Sequence, residues 1–415
     1  GDSLYFEYKC NFGRRDTETV VLCSDWCPKE EEKPLLVVGC SDGSMTRFHD
    51  EGEKVGVESR RPSQPICIAW GPGPSYFLAA GWHDGVITLW DEKNTLPRED
   101  SSIHDKHPIT VLKWSPKGER LVSGDQNSTV CVWKIADKGR LISQCTIQRG
   151  KVAITHVVFR SNDTRVHKDQ APSFYFSGED GVVYHATDDS SKCKEVHRLA
   201  GMEGSFSRTA VLEYLAERDE VVGINEHVMM TRFRGPDDAG QTTVVSTAKL
   251  SARAQDRMMA LWAGPGLLAT SSGENLVRFW DLVDEDNYVV RIADLRVAPD
   301  DVIDTIALQP AKRLLAAGTR RGFLLLWLQG GDRNASSSAD DWHPLTHATV
   351  KLDGPVVGLR WAPAGGLLYA ATESQAYMLV EHELQRKVRD GVALVQESNQ
   401  RVAFAAALRR LGAPC

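Results

Sequence analysis

At 415 residues the chain exceeds what a single hydrophobic core usually serves, so it either divides into domains or repeats a small unit around an axis. Apolar residues make up 42% and charged residues 25%, which is ordinary for a globular protein and excludes a fibrous or wholly disordered chain. The net charge of -7 argues against sequence-independent binding of nucleic acid, which rests on clustered Lys and Arg contacting phosphates.

The chain opens without a basic segment followed by an apolar core, and no run of about 18 apolar residues occurs, so neither a signal peptide nor a membrane-spanning helix is expected. Residues 3–9 (SLYFEYK) are rich in strand formers yet belong to no repeating unit. Beyond them an aromatic, one residue and a proline recur at Trp26-Cys27-Pro28, Trp70-Gly71-Pro72, Trp114-Ser115-Pro116 and Trp361-Ala362-Pro363. The first two intervals are 44 residues, and weaker copies at Phe159, Tyr214, Trp262 and Leu308 keep the rest between 45 and 55. That is the spacing of four-stranded propeller blades, about 40–45 residues each plus loop insertions.

Each unit repeats one grammar. In the third, an apolar strand over 109–114 leads to a turn at Pro116-Lys117-Gly118, a second strand over 120–124, a tight turn and a third strand over 129–133. The tight turn of the second unit is Asp84-Gly85, favoured in two-residue hairpins because both positions tolerate positive φ. Asp42-Gly43 and Asp180-Gly181 repeat it, and Asn127-Ser128, Glu274-Asn275 and Arg321-Gly322 are looser versions. Outer strands are expected at 288–293 in the sixth unit and 346–352 in the seventh. Third strands near Met45, Ile87, Val130, Val183, Met230, Val277, Leu325 and Met378 give eight units, with seven the competing count because degenerate units are easily miscounted. The eighth lacks a clear outer strand, so residues 3–9 are expected to supply it and close the ring, which removes exposed sheet edges. The expectation is an all-β propeller over residues 1–383, eight blades favoured over seven, with 384–415 an exit segment or the start of a second propeller.

Two polar stretches, 160–172 and 329–341, read as mobile surface loops. Nine cysteines (Cys10, Cys23, Cys27, Cys40, Cys67, Cys131, Cys145, Cys193 and Cys415) show no Cys-x-x-Cys rhythm, which predicts reduced thiols in a cytosolic protein and no metal. The absence of an initiator Met and the ending Ala413-Pro414-Cys415 suggest a piece of something longer.

The turn Asp84-Gly85 followed by Trp90-Asp91, the matching Trp280-Asp281 and the span from Ser123 to Trp133 resemble the WD-repeat family. The resemblance implies a hydrogen-bonded set in each blade: a His before the first strand, a Ser or Thr in the second, the turn Asp and the third-strand Trp. The third unit supplies His104, Ser123 and Trp133, with Asn127 where the Asp is expected; the second supplies Asp84 and Trp90 but has Ala80 for the Ser. Three longer stretches, 109–141, 277–290 (VRFWDLVDEDNYVV) and 314–327 (LLAAGTRRGFLLLW), look like the N-terminal propeller of an intraflagellar transport complex A subunit. That resemblance covers residues 1 to about 380 and implies retrograde ciliary transport and ciliary entry of membrane proteins. It further implies a location in the cytoplasm, the cilium or flagellum and its basal body. The partners it implies are other complex A subunits and cargo or cargo-adaptor proteins, with proximity to a membrane but no insertion. A coat-like structural propeller of a vesicle coat is the alternative.

No nucleophile, base and orienter converge in the pattern, and the twelve histidines include His83, His104, His107 and His156 at turns or strand starts where the repeat explains them. Gly71-Pro72-Gly73-Pro74 is no phosphate cradle, since its prolines remove the N–H groups a phosphate needs. The chain is therefore read as a non-catalytic interaction scaffold with no cofactor. Candidate protein-binding residues are Trp82 and His83, in the turn Gly81-Trp82-His83-Asp84-Gly85 between the second and third strands of the second unit. A Trp on such a rim makes a binding anchor, because it presents much area with few rotatable bonds. The alternative is that its ring folds down against a neighbouring blade.

Overall fold

The computed structural model describes residues 4–11, 19–30, 33–50, 52–91, 97–136, 139–161, 172–201, 205, 207–237, 240–250, 258–331, 337–364, 366–373, 375–383, 386–389, 392–398 and 401–406, with side chains described only between 19 and 382. Eight antiparallel sheets follow one another along the chain and form the blades of a propeller, blade 1 over 21–60, blade 2 over 65–100, blade 3 over 109–148 and blade 4 over 154–198. Blades 5, 6 and 7 occupy 209–249, 259–291 and 303–351, and blade 8 begins at 356. The chain contributes only three strands to blade 8: Val356–Trp361, Leu367–Thr372 and Ala376–Glu383.

The fourth strand of that sheet is Leu4–Asn11, antiparallel to Ala376–Glu383, with Leu4 opposite Glu383 and Asn11 opposite Tyr377. The ring thus closes by pairing its first strand with its last blade, and the edge that blade 8 would otherwise present is covered. Eight is the blade count, and every aromatic or Leu landmark of the repeat lies on a first strand, at its last residue or within two residues of it.

First strands of successive blades meet around the axis. Most carry the same irregularity: register shifts after the first residue in seven blades, at Val21, Pro65, Ile109, Ile154, Thr209, Ile303 and Val356. A bulge there increases local twist, which a sheet needs in order to splay outward from a crowded axis.

Second and third strands explain the continuous apolar runs in the sequence. Both faces of each blade are covered by neighbours, so alternate side chains enter alternate joints. In blade 3, Leu121, Cys131 and Trp133 pack toward blade 2, while Val122, Val130 and Val132 pack toward blade 4. The buried apolar residues accordingly divide into eight clusters, one for each joint between adjacent blades. The cluster between blades 1 and 2 is the smallest, comprising Val37, Met45, Leu78, Ala80, Trp82, Val86 and Trp90.

Two expectations are corrected. The outer strand of blade 7 is not continuous over 346–352: Trp342–Pro344 and Val350–Lys351 both pair with Phe323–Gln329, separated by a single 3-10 turn at Thr346–Ala348. Leu345 and Ala348 turn inward into the joint with blade 8, which breaks the strand to bury them. Trp82 belongs to the second strand, Leu78–Trp82, rather than to the turn after it. Of the two long loops, residues 162–171 and 332–336 lie outside the described residues. After blade 8 the strands Arg386–Arg389, Val392–Ser398 and Arg401–Ala406 form a separate three-stranded sheet. Among the described residues no helix is long and apolar enough to cross a membrane.

Candidate interaction surface

Blade 3 contains a complete polar set. His104 Nε2 lies 2.7 Å from Ser123 Oγ, and His104 Nδ1 lies 2.8 Å from Asp125 Oδ2. Trp133 Nε1 donates to the same Ser123 Oγ at 2.7 Å. Asp125 Oδ1 accepts the backbone N–H groups of Asn127 and Thr129 at 2.9 and 2.8 Å, which fixes the hairpin turn. One donor order satisfies every atom: indole to hydroxyl, hydroxyl to Nε2, and Nδ1–H to the carboxylate.

The acid of this set is Asp125, not Asn127, two residues earlier than the turn position. Asn127 offers its backbone carbonyl to Gln148 Nε2 and lies in the turn that Asp125 holds. The same correction applies to Asp84, whose carboxylate accepts the Val86 N–H inside its own turn at 3.3 Å and Arg61 from outside at 3.0 Å. The position equivalent to Asp125 lies at the end of each second strand. Blade 5 has Asn225 there, accepting the N–H groups of His227 and Met229 at 3.0 and 2.9 Å, and blade 7 has Thr319, accepting that of Phe323 at 3.0 Å. The usable signal was the register, since Asp125 directly follows Ser123-Gly124 on the strand. In blade 6 only the outer half of the set survives, Trp280 Nε1 donating to Thr270 Oγ1 at 3.2 Å.

A Ser, a His and an Asp at these distances have the layout of an acyl-transfer triad, but its place in the blade gives it another task. Ser123 is 0% exposed, and its oxygen is already shared by two partners, so a substrate carbonyl has no approach to it. The set knits strands separated by about 20 residues.

Trp82 occupies the Asp125 position of blade 2. It is fully buried, its Nε1 donates to Thr88 Oγ1 at 2.8 Å, and the Arg61 guanidinium lies over its ring at 5.1 Å. Arg61 is held in turn by Asp84 and Glu99. A rim anchor must be exposed, so Trp82 is not one. It fills the space left by Ala80 and brings its own hydrogen bond to Thr88, an apolar replacement for the blade 3 set. Trp90, the third-strand Trp, is buried in the same cluster. His83 is exposed, with its backbone N–H tied to Gln64 O at 2.9 Å, so the turn presents an imidazole on a fixed stem.

Around the axis the first strands carry charge one residue before their final aromatic, at Asp25, Lys113, Glu213 and Arg360. Burial pushes the carboxyl groups of Asp25 and Glu213 up, opposed by Arg360 and Lys113 at Asp25 and by Lys113 at Glu213. The first-strand tryptophans differ in what their indoles do, and Trp262 Nε1 donates to Glu213 Oε2 of the preceding blade at 3.2 Å. Trp26 Nε1 donates to Arg360 O at 3.0 Å, Trp114 Nε1 to Ala69 O at 3.0 Å and Trp361 Nε1 to Ala307 O at 3.2 Å, each a carbonyl of the preceding blade. Trp70 Nε1 of blade 2 is buried without an acceptor among the described residues. Among the described residues no group of three or more His, Cys, Asp or Glu is placed to hold a metal ion.

Comparison with known proteins follows the fold. The C-terminal WD40 domain of Sif2 superposes with a TM-score of 0.67 at 15% identity, covering 92% of this chain and 99% of that one. A chain of the mitotic checkpoint complex superposes with a TM-score of 0.53 at 12% identity, covering 90% and 95%. The WD repeat-containing protein VIP3 of Arabidopsis thaliana is 24% identical over 146 residues, which is 32% of this chain and 44% of that protein. Gem-associated protein 5 of Homo sapiens is 24% identical over 219 residues, 52% of this chain and 13% of that protein. The chain therefore spans less than half the length of these curated relatives. WD-repeat propellers of this kind generally serve as interaction scaffolds rather than enzymes. A family model described as the IFT140 first beta-propeller matches residues 3–171 and 161–382, nearly the whole ring, and the chain belongs to that family.

Proposed function

We propose that this propeller is a non-catalytic scaffold within intraflagellar transport complex A, acting in retrograde ciliary transport and in bringing membrane proteins into the cilium. The observation that carries the reading is the family match across residues 3–382, which is specific to one propeller rather than to WD repeats in general. The partners are then other complex A subunits and cargo or cargo-adaptor proteins, and the location is the cytoplasm, the cilium and its basal body. The ring ends at residue 383 in this reading, and 384–415 leads toward a following domain. Of Trp82 and His83, the histidine, exposed beside a rigid turn, is the one that remains available to a partner. Nothing observed favours the vesicle-coat alternative.

The test is affinity purification of the tagged chain from ciliated cells together with imaging of the same tag. Co-purification of complex A subunits and a signal at the basal body and axoneme are expected. Recovery with vesicle-coat subunits, and a signal on Golgi membranes instead, would overturn the proposal.

A further inference from the structure

A cleft of about 320 Å³ opens between blades 2 and 3, on the face that carries the turns between first and second strands. Protein clefts that take ligand groups run from roughly 300 to 1,000 Å³, so a side chain has room to enter. One wall is the blade 2 turn over residues 71–77, and the other comes from blade 3 at Lys117-Gly118 and Ile135-Ala136. Direct packing fixes the walls: Gly71 lies against the Trp114 ring and Gly118 against Pro72, while Trp114 Nε1 donates across the joint to Ala69 O at 3.0 Å. Phe77, Ile135 and Ala136 are half-buried, and Pro74 and Ser75 are exposed, so the lining is open to solvent.

The polar chemistry of this lining is one-sided. In residues 71–75 (GPGPS), Pro72 and Pro74 carry no N–H, and the Gly71 N–H is given to Phe77 O at 2.7 Å. Five carbonyls therefore stand against two remaining backbone donors, on Gly73 and Ser75, and none of the five accepts a bond among the described residues. The lack of donors that rules out a phosphate makes the same turn an acceptor for a donor-rich cation. Among the described residues the lining holds no carboxylate, and its one charged side chain is Lys117, exposed at the lip. A guanidinium suits such a lining better than an ammonium. It is planar and more weakly hydrated, it brings five N–H donors and no acceptor, and its aliphatic stem covers apolar surface such as Phe77 and Ile135.

We propose that the cleft between blades 2 and 3 docks an arginine side chain carried on an extended segment of a partner protein. The guanidinium donates to the carbonyls of residues 71–75, and the stem packs on Phe77, Ile135 and Ala136. Lys117 competes for the same carbonyls and repels the incoming charge, so it limits the affinity from the lip. This inference deepens the scaffold reading and rests on it, but it concerns one site whose failure leaves complex A membership untouched.

The probe is the capped tripeptide Gly-Arg-Gly titrated into the chain labelled with ¹³C at its isoleucine methyl groups. The Ile135 methyl resonance, assigned by its loss in Ile135→Val, should shift and saturate. Capped Gly-Lys-Gly, capped Gly-Gln-Gly and potassium chloride should leave it in place. Lys117→Glu, which replaces a repelling charge with an attracting one at an exposed site, should tighten binding about fivefold. Ala136→Trp, which fills the cleft, should abolish binding with the thermal melt unchanged; if that variant does not fold, Lys117→Glu decides. No saturable shift with Gly-Arg-Gly overturns the proposal. So does an equal shift with the lysine peptide, the glutamine peptide or potassium, or an unchanged affinity in Lys117→Glu. Because the test uses the purified chain and a synthetic peptide, a negative result is distinct from a failure to co-purify complex A subunits.

Discussion

At the scale of single residues, position on the strand matters more than residue type. Asp125 and Trp82 occupy the same place in neighbouring blades and solve the same problem, how to finish a buried second strand, by opposite chemistry. Asp125 does it by accepting from His104 and two turn amides, Trp82 by filling volume and donating to Thr88. The blade 3 set makes a sharp prediction because Ser123 Oγ serves two buried partners. Ser123→Ala strands both the His104 Nε2 and the Trp133 N–H, each unsatisfied group costing about 1–3 kcal/mol, so the variant should lose about 3 kcal/mol in urea unfolding. Thr270→Ala in blade 6 removes the acceptor of one partly buried indole and should lose only about 1 kcal/mol. Equal losses at the two sites would mean that the blade 3 set contributes nothing beyond its single Trp bond.

At the scale of the element, the strand Leu4–Asn11 does what no other strand does: it joins the two ends of the chain's repeat. Deleting residues 1–11 removes a partner from Ala376–Glu383 and exposes a row of unpaired backbone groups along an edge whose second strand neighbour is fully buried. The truncated chain should elute partly as aggregate in size-exclusion chromatography and melt at a lower temperature than the parent. If it elutes and melts as the parent does, the closure holds nothing together. This element is legible in the amino-acid sequence, because a β-rich segment without a blade and a blade without an outer strand imply each other. The outer strand of blade 7 is not legible there. Its break at Thr346–Ala348 exists to bury Leu345 and Ala348 against blade 8, a contact between residues that no local pattern marks.

At the scale of the whole molecule, the blades are held in register by polar bonds that cross joints as well as by apolar clusters. His156 on the first strand of blade 4 illustrates this: its Nε2 donates to Ala210 O of blade 5 at 3.0 Å, and its Nδ1 lies 2.8 Å from Thr155 Oγ1. Burial pushes its pKa down from 6.5 to about 4, with the Ala210 bond opposing and Arg208 assisting. The folded protein therefore resists the proton that the unfolded chain takes up below pH 6.5. The stability that His156 contributes is complete above that pH and is lost as the pH falls toward 4. Asp25 and Glu213, raised by burial, act with the opposite sign, so the measurement must be a difference. His156→Gln keeps a donor for Ala210 O without a titrating ring. The stability of the parent relative to this variant should shrink by about 1 kcal/mol or more between pH 7.5 and pH 5.5 in urea unfolding. A difference that stays constant across that range would place the ring in contact with water in the folded state. The sequence by itself determined the architecture. The period of the aromatic landmarks, the hairpin turns and the β-rich segment without a blade are local signals, and closure of a ring follows from counting them. Only the tertiary structure decided which side chains meet across 20 residues or across a joint. Asp125 rather than Asn127 faces His104, Trp82 turns inward beneath Arg61, and among the described residues Trp70 Nε1 is buried without an acceptor. The reason is physical: periodicity reports which face of a strand is buried, whereas hydrogen-bond partners and gaps in packing depend on distances of a few ångströms between segments far apart in the chain.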